Sequence, residues 1–220
     1  DLYIGGSYLE KWDGTSFTTL HNFAGGSVQA LAFAPNGDLY IGGTFTDTAH
    51  PYLCKWDGSS MSPVGVAGDI SGGLGWTGVT KLNFDNRGLL FVGGNFTNAH
   101  GIAGADFIAQ WNGMAWESVG GGLNNMPFDM CIRNGKLYVA GFFTKAGSLS
   151  LTDRMAIYSN GAWQPIDIEL PGTSSMYTIL AASDGSLYIS GNFSTAGETP
   201  DENAESGQVA LNLNVASASA

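Results

Sequence analysis

Two histidines hold matching places in successive stretches of this chain. His50 follows Thr48-Ala49, and His100 follows Asn98-Ala99. Imidazoles at equivalent positions of neighbouring repeats could converge on a metal or an acidic ligand, with Asp47 or Asp106 assisting. A metal needs three or four ligands and this spacing offers two. Gly147 and Gly197 fill the same spot elsewhere, so both histidines also read as ordinary loop residues. Trp76, in Gly75-Trp76-Thr77-Gly78, could stack on a sugar ring or anchor a protein partner. It could equally plug a gap between packed units. The acids Glu198, Asp201, Glu202 and Glu205 lack a calcium-loop pattern and read as a solvated loop. Asn95-Phe96-Thr97 and Asn192-Phe193-Ser194 fit the N-glycosylation pattern. An Asn that starts a turn and a Phe that packs inward account for both more simply.

Catalytic signatures are missing. There is no Gly-x-Ser-x-Gly elbow, His-Glu-x-x-His pair, phosphate loop or dinucleotide fingerprint. Catalysis needs convergent polar groups, so the expectation is a non-enzyme with no cofactor and no bound metal.

The bulk composition narrows the class. Among 220 residues are 33 glycines and few prolines, which suits many short strands and tight turns. Nineteen acidic and eight basic side chains give a net charge of −11, which argues against nucleic acid as a partner. No stretch reaches the roughly 20 apolar residues that span a bilayer, so membrane insertion is not expected. The chain starts at Asp1, inside an apolar run and without Met, which suggests a processed chain or a fragment. Cys54 stands where other repeats have Ala109, Ala156 and Ala210, marking it as small and buried; Cys131 lies in another repeat, so pairing is not expected.

These residues hang on a repeated frame. Leu2-Tyr3-Ile4-Gly5-Gly6 returns as Leu39-Tyr40-Ile41-Gly42-Gly43, Leu90-Phe91-Val92-Gly93-Gly94, Leu137-Tyr138-Val139-Ala140-Gly141 and Leu187-Tyr188-Ile189-Ser190-Gly191, at spacings of 37, 51, 47 and 50. Around each motif, β-favouring runs alternate with Gly and Asn-Gly turns, giving strands A to D joined as antiparallel hairpins. Trp12 and Phe17, Trp56 and Met61, Trp111 and Trp116, and Tyr158 and Trp163 lie five apart across the C–D turn, so each pair should touch across strands. Four strands per repeat of about 50 residues predict an all-β propeller, because a lone small sheet cannot cover both apolar faces. The expected single domain spans 1–220, with blades near 1–20, 28–65, 79–120, 127–168 and 176–216. The first blade lacks strand A and the last has little strand D, as in a fragment of a larger ring or a five-blade ring that closes imperfectly. The Gly pair is expected to allow close backbone approach and positive φ.

The repeat resembles the kelch-like propellers, including the central propeller of galactose-oxidase-type proteins. It is more similar to the NFTxAG…IAxWxGxxW repeats of bacterial and phage surface propellers. Asn95-Phe96-Thr97-Asn98-Ala99, Phe143-Thr144-Lys145-Ala146-Gly147 and Asn192-Phe193-Ser194-Thr195-Ala196-Gly197 carry that likeness. It departs from kelch at Ala140-Gly141 and Ser190-Gly191, and in its shorter aromatic spacing. A copper-radical site is not implied, since only His21, His50 and His100 exist and neither Cys has an evident Tyr partner.

Function should sit on one face. The A–B and C–D turns are short, whereas the B–C loops (44–51, 95–106, 142–153, 192–207) and D–A connections (21–27, 65–78, 120–127, 169–175) are long, and both emerge on the same side of a propeller. The expected role is recognition of a glycan or protein through that face. The expected setting is an extracellular protein, or a virion or phage-tail appendage, at a surface. The rivals are a sugar-active lyase or hydrolase with a site at the central channel, and an architectural module bound to neighbouring copies.

Overall fold

The computed structural model describes residues 1–46, 49–66, 68–71, 73, 77–151, 154–166, 175–182 and 186–192, with the backbone of 211–212. Asp47, Trp76, the 198–205 acids and most of the second glycosylation pattern lie outside these residues. All regular structure within them is strand, apart from one turn of 3-10 helix at Ala99–Gly101. No helix among them is long and apolar enough to cross a membrane.

The strands form successive antiparallel blades. The first is β1 (Leu2–Gly5), β2 (Tyr8–Trp12) and β3 (Phe17–Asn22). The second is β4 (Val28–Phe33), β5 (Leu39–Gly43), β6 (Leu53–Trp56) and β7 (Met61–Pro63). The third is β8 (Gly78–Phe84), β9 (Leu90–Asn95), β10 (Ile108–Trp111) and β11 (Trp116–Ser118). The fourth has β12 (Pro127–Arg133) and β13 (Lys136–Gly141). Its long B–C loop contains a small hairpin of β14 (Lys145–Ala146) and β15 (Leu149–Ser150). The blade ends with β16 (Met155–Ser159) and β17 (Ala162–Pro165). The fifth shows β18 (Ser175–Ala181), β19 (Leu187–Asn192) and β20 (Leu211–Asn212). The chain is thus an all-β protein built of propeller-type blades. It divides into two compact units, 1–122 and 123–220.

Within each unit the core lies between blades. Strand alternation sends Leu39 and Ile41 of β5 into a cluster with Leu9, Phe23 and Val28, on the side of the first blade. Tyr40 points the other way, into a cluster with Val79, Leu82, Leu90 and Val92 of the third blade. In the second unit, Tyr138, Ala140 and Met155 meet Met176, Ile179 and Ile189 in the same manner. Each sheet therefore has its two apolar faces on two different sides, and burial requires stacking.

The C–D hairpins close as expected. Trp12 lies opposite Phe17, Trp111 opposite Trp116 and Tyr158 opposite Trp163, with ring centroids 4.6, 5.3 and 5.2 Å apart. The turn residue before each Gly explains itself through its side chain. Asp13 Oδ1 accepts from the backbone N–H of Thr15 and Ser16, and Asp57 Oδ1 does the same for Ser59 and Ser60. Hydrogen bonds from Ser16 and Ser60 N–H, then from the neighbouring hydroxyls and amides, hold both carboxyls well below the usual carboxylate range.

The Gly pair at the end of strand B departs from expectation in one respect. None of Gly42, Gly43, Gly94, Gly141 or Gly191 has positive φ. Close approach alone requires them. A Cβ on Gly43, Gly94, Gly141 or Gly191 would overlap the carbonyl oxygen of Ser27, Gly78, Met126 or Ser175 respectively. Each of those carbonyls belongs to the residue just before a bulge-bearing segment of strand A. The register slips by one between Val28 and Ala30, Val79 and Lys81, Pro127 and Asp129, and Met176 and Thr178. The first Gly of the pair is constrained differently: a Cβ on Gly42 would overlap the Val79 side chain of the next blade.

Gly43→Ala is therefore expected to cost about 2 kcal/mol or more, as overpacking against backbone does. Urea denaturation of the variant checks this. A midpoint unchanged from the parent would remove the close-approach argument.

Candidate functional site

The D–A connection of one blade and the B–C loop that follows it are stitched together. Thr46 N–H donates to Ala24 O in the second blade, and Thr97 N–H to Ser71 O in the third. In the fourth, Asn124 Oδ1 accepts from the N–H groups of Thr144 and Lys145. The two families of long loops thus share one side of the second, third and fourth blades, as expected.

The tightest of these junctions is in the third blade. The side chain of Asp69, in the 65–78 connection, is only 8% exposed, yet its carboxylate has three donors. Val66 N–H and Trp116 Nε1–H reach Oδ2 at 2.7 and 3.0 Å, and His100 Nδ1 reaches Oδ1 at 2.7 Å. His100 N–H also donates to Asp69 O at 2.7 Å. A carboxylate accepts only, so the Nδ1 of a neutral His100 carries the proton and Nε2 is the acceptor. The side chain of His100 is 52% exposed. The local backbone explains how it gets there. Asn98 and His100 are both left-handed, with φ of 47° and 51°, on either side of buried Ala99. Such a conformation costs a non-glycine residue on the order of 1 kcal/mol and is held only by surrounding contacts. Gly65, at φ 74°, completes the cradle, since a Cβ there would crowd Asp69 Oδ2 and Trp116 Nε1.

The other candidates go elsewhere. Asp106 Oδ1 accepts from Asn98 N–H at 2.7 Å, so Asp106 shapes the same loop without meeting His100 in a hydrogen bond. His50 is half-buried, and its ring stands edge-on to His21 at 6.1 Å, with His21 in turn against Phe23 at 4.6 Å. The carboxylate of Asp69 thus meets His100, while the ring contact shown for His50 is with His21. No group of three metal-capable side chains occurs among the described residues. Cys54 and Cys131 are both buried and neither is in a disulfide. Asn95 is buried at the end of β9 with Phe96 fully enclosed, so the first glycosylation pattern is closed to modification in the folded chain.

Asp69 and Trp116 escaped the sequence reading. Asp69 is a single acid in a loop, and Trp116 is fully accounted for by its cross-strand aromatic partner. Only the fold brings residue 69 beside residues 100 and 116.

No protein-family model matches this sequence, and no curated protein matches it. Solved structures do. PorZ, described as an essential bacterial surface component of the type-IX secretion system of Porphyromonas gingivalis, is 13% identical, with 96% of this chain and 32% of that one covered and a TM-score of 0.56. Virginiamycin B lyase from Staphylococcus aureus is 12% identical over 86% of this chain and 56% of that one, at a TM-score of 0.47. The extracellular domain of a hybrid two component system from B. thetaiotaomicron is 13% identical over 86% of this chain and 25% of that one, at 0.35. The chain spans between a quarter and just over half of these proteins. At such identity the match to PorZ is one of fold.

Asp69→Ala would leave the Trp116 Nε1–H of a buried hydrogen bond, and the Val66 N–H of a part-buried one, without their acceptor. The expected loss of stability is about 2–3 kcal/mol, against about 1 kcal/mol or less for His100→Ala. Paired denaturant titrations decide this, and equal losses would show that the carboxylate is not the anchor.

Proposed function

We propose that this chain is a non-enzymatic recognition module that works at a surface. It binds a glycan or protein through the face made by its B–C and D–A loops. What carries the reading is the Asp69–His100 junction. A buried, triply hydrogen-bonded carboxylate fixes the orientation of an exposed imidazole. Preorganised polar groups on a rigid frame favour binding because little freedom is lost on contact. His100 Nε2 offers a directed acceptor to a ligand hydroxyl or amide. Trp76, from the same 65–78 connection, supplies a stacking surface for a sugar ring or an apolar anchor. His50, Asp47 and Asp106 are the secondary candidates.

The surface setting rests on the acidic, glycine-rich composition and on the resemblance to bacterial and phage surface repeats. The fold likeness to PorZ, itself a bacterial surface component, is in keeping with it. An extracellular protein or a virion or phage-tail appendage would suit the same chemistry. The Asp69–His100 pair also suits the rival sugar-active enzyme, since a carboxylate that orients an imidazole is the usual support for a general base.

A glycan array together with a capture assay on intact bacterial surfaces tests the reading. His100→Ala and Trp76→Ala should each weaken binding by about tenfold or more, the scale of one lost contact of about 1.4 kcal/mol. Binding unchanged in both variants would refute this face. Catalytic turnover of a bound polysaccharide, abolished in His100→Ala, would move the assignment to the enzyme.

A further inference from the structure

The fourth blade breaks a pattern that the second and third share. Just after the Gly pair stand Thr44 and Asn95, and just before strand C stand Tyr52 and Phe107. The fourth blade has Phe142 and Arg154 at these two places. The backbone is the same in all three. Gly43, Gly94 and Gly141 donate their N–H to the carbonyls of Tyr52, Phe107 and Arg154, which are left-handed at φ of 64°, 60° and 57°. The side chains have exchanged character, from polar then aromatic to aromatic then cationic. The exchange forgoes a hydrogen bond: Thr44 Oγ1 accepts from Ser27 N–H, where the chain enters strand A. A phenyl ring cannot do this, and the corresponding Met126 N–H turns to Asn125 Oδ1.

The result is a ring on the outside. Phe107 is buried, whereas Phe142 is 44% exposed. The unpaired residues of the strand-A bulges change in the same direction, from Gln29 and Thr80 in the first unit to Phe128 and Tyr177 in the second. Half-buried Phe128 neighbours both exposed rings, with centroids 6.3 Å from Phe142 and 6.1 Å from Tyr177, and Tyr177 is 46% exposed. The Arg154 guanidinium lies 5.1 Å from the centre of the Phe142 ring and donates from Nη1 to Phe142 O at 2.8 Å. Its Nε is buried without a hydrogen-bond partner. Lys11, Lys55 and Arg87 each hold an acid, but among the described residues none pairs with Arg154. Phe142 and Arg154 bracket a B–C loop, and Phe128 and Tyr177 follow D–A connections, so all four belong to the loop side of the second unit.

We propose that Phe128, Phe142, Tyr177 and Arg154 form a subsite for an acidic sugar, a pyranose ring that carries a carboxylate. The aromatic rings cover the C–H face of the sugar, and the guanidinium pairs with its carboxylate. Charge selects this class. In a chain of net charge −11, an arginine with no acid partner is a local attraction for an anion. It also repels the cations that aromatic clusters otherwise hold. An apolar protein anchor gains most where it is fully desolvated. Rings that remain nearly half exposed suit a sugar, which keeps its hydroxyl groups in water. The subsite rests on the reading of the loop face as a binding face, and gives that face a ligand class.

Calorimetric titration of the 220-residue chain with tetragalacturonate, a hyaluronan tetrasaccharide and sialyllactose tests this. At least one should bind, and its methyl ester, which lacks the charge, should bind about tenfold or more weakly. Phe142→Thr, Tyr177→Thr and Arg154→Tyr restore residues that the second or third blade carries at these places. Each should weaken binding by about tenfold or more and leave the melting temperature unchanged. Absence of binding by all three sugars overturns the proposal, as does equal binding of the ester or of the variants. Equal competition by a polyglutamate peptide overturns it by showing attraction to charge alone. A melting temperature lowered by several degrees in Phe142→Thr overturns it by assigning the rings to the chain's own packing. His100→Ala in the same titrations separates this subsite from the Asp69–His100 junction. Sugar binding lost in His100→Ala and kept in Phe142→Thr overturns the subsite and leaves the loop-face reading standing; the reverse pattern supports the subsite on its own.

Discussion

Everything in this molecule follows from sheets too small to cover themselves. A four-stranded blade with strands of three to seven residues has two apolar faces and no second layer of its own. Leu39 and Ile41 face one neighbour and Tyr40 the other, so each strand is committed to both sides by simple alternation. The glycine at the end of strand B is the steric partner of that commitment. Where Gly42 lacks a side chain, Val79 of the next blade fills the space. Where Gly43 lacks one, the chain entering strand A passes at backbone contact and bulges at Gln29. Packing between blades and backbone path within a blade are thus set at adjacent residues.

The same arrangement sorts the connections. At one end, the C–D turns of the first three blades are closed by Asp13, Asp57 and Asn112, whose side chains accept from the turn amides. The other end must carry the chain across to the next blade and back, so length and variety collect there. In the third blade that length is stiffened by Asp69, which ties its own loop to His100 and to the Trp116 ring edge at once. A buried acid is tolerable only with such a complete set of donors.

Much of this was legible in the sequence, and what was not shares a physical cause. Strand order, the C–D aromatic pairs and the side on which long loops gather all depend on patterns within some 50 residues, and each was readable. The bulges at Gln29, Thr80, Phe128 and Tyr177 have no common residue type, so no repeated residue marks them in the sequence. The conformation of the Gly pair was misjudged for a related reason: glycine answers both to φ and to crowding, and only coordinates separate them. The β14–β15 hairpin lies within Lys145 to Ser150, too short a run for periodicity to register. Asp69 needed contacts at separations of 31 and 47 residues, which no local pattern encodes.

His100 shows how far the argument from local cost can go. The position tolerates a left-handed backbone, and Gly147 holds the corresponding place in the fourth blade at φ 55° without strain. A histidine there incurs the steric cost that glycine avoids. Its N–H bond to Asp69 O would be available to glycine equally, since it uses only the main chain. What glycine could not provide is the imidazole, seated on Asp69 with Nε2 directed away from that carboxylate. The hydrogen bond to the carboxylate offsets part of the strain, and His100 Nδ1 is the third donor to Asp69 beside Val66 N–H and Trp116 Nε1–H. On the proposed reading, that strain is accepted for a contact the side chain makes outside the fold.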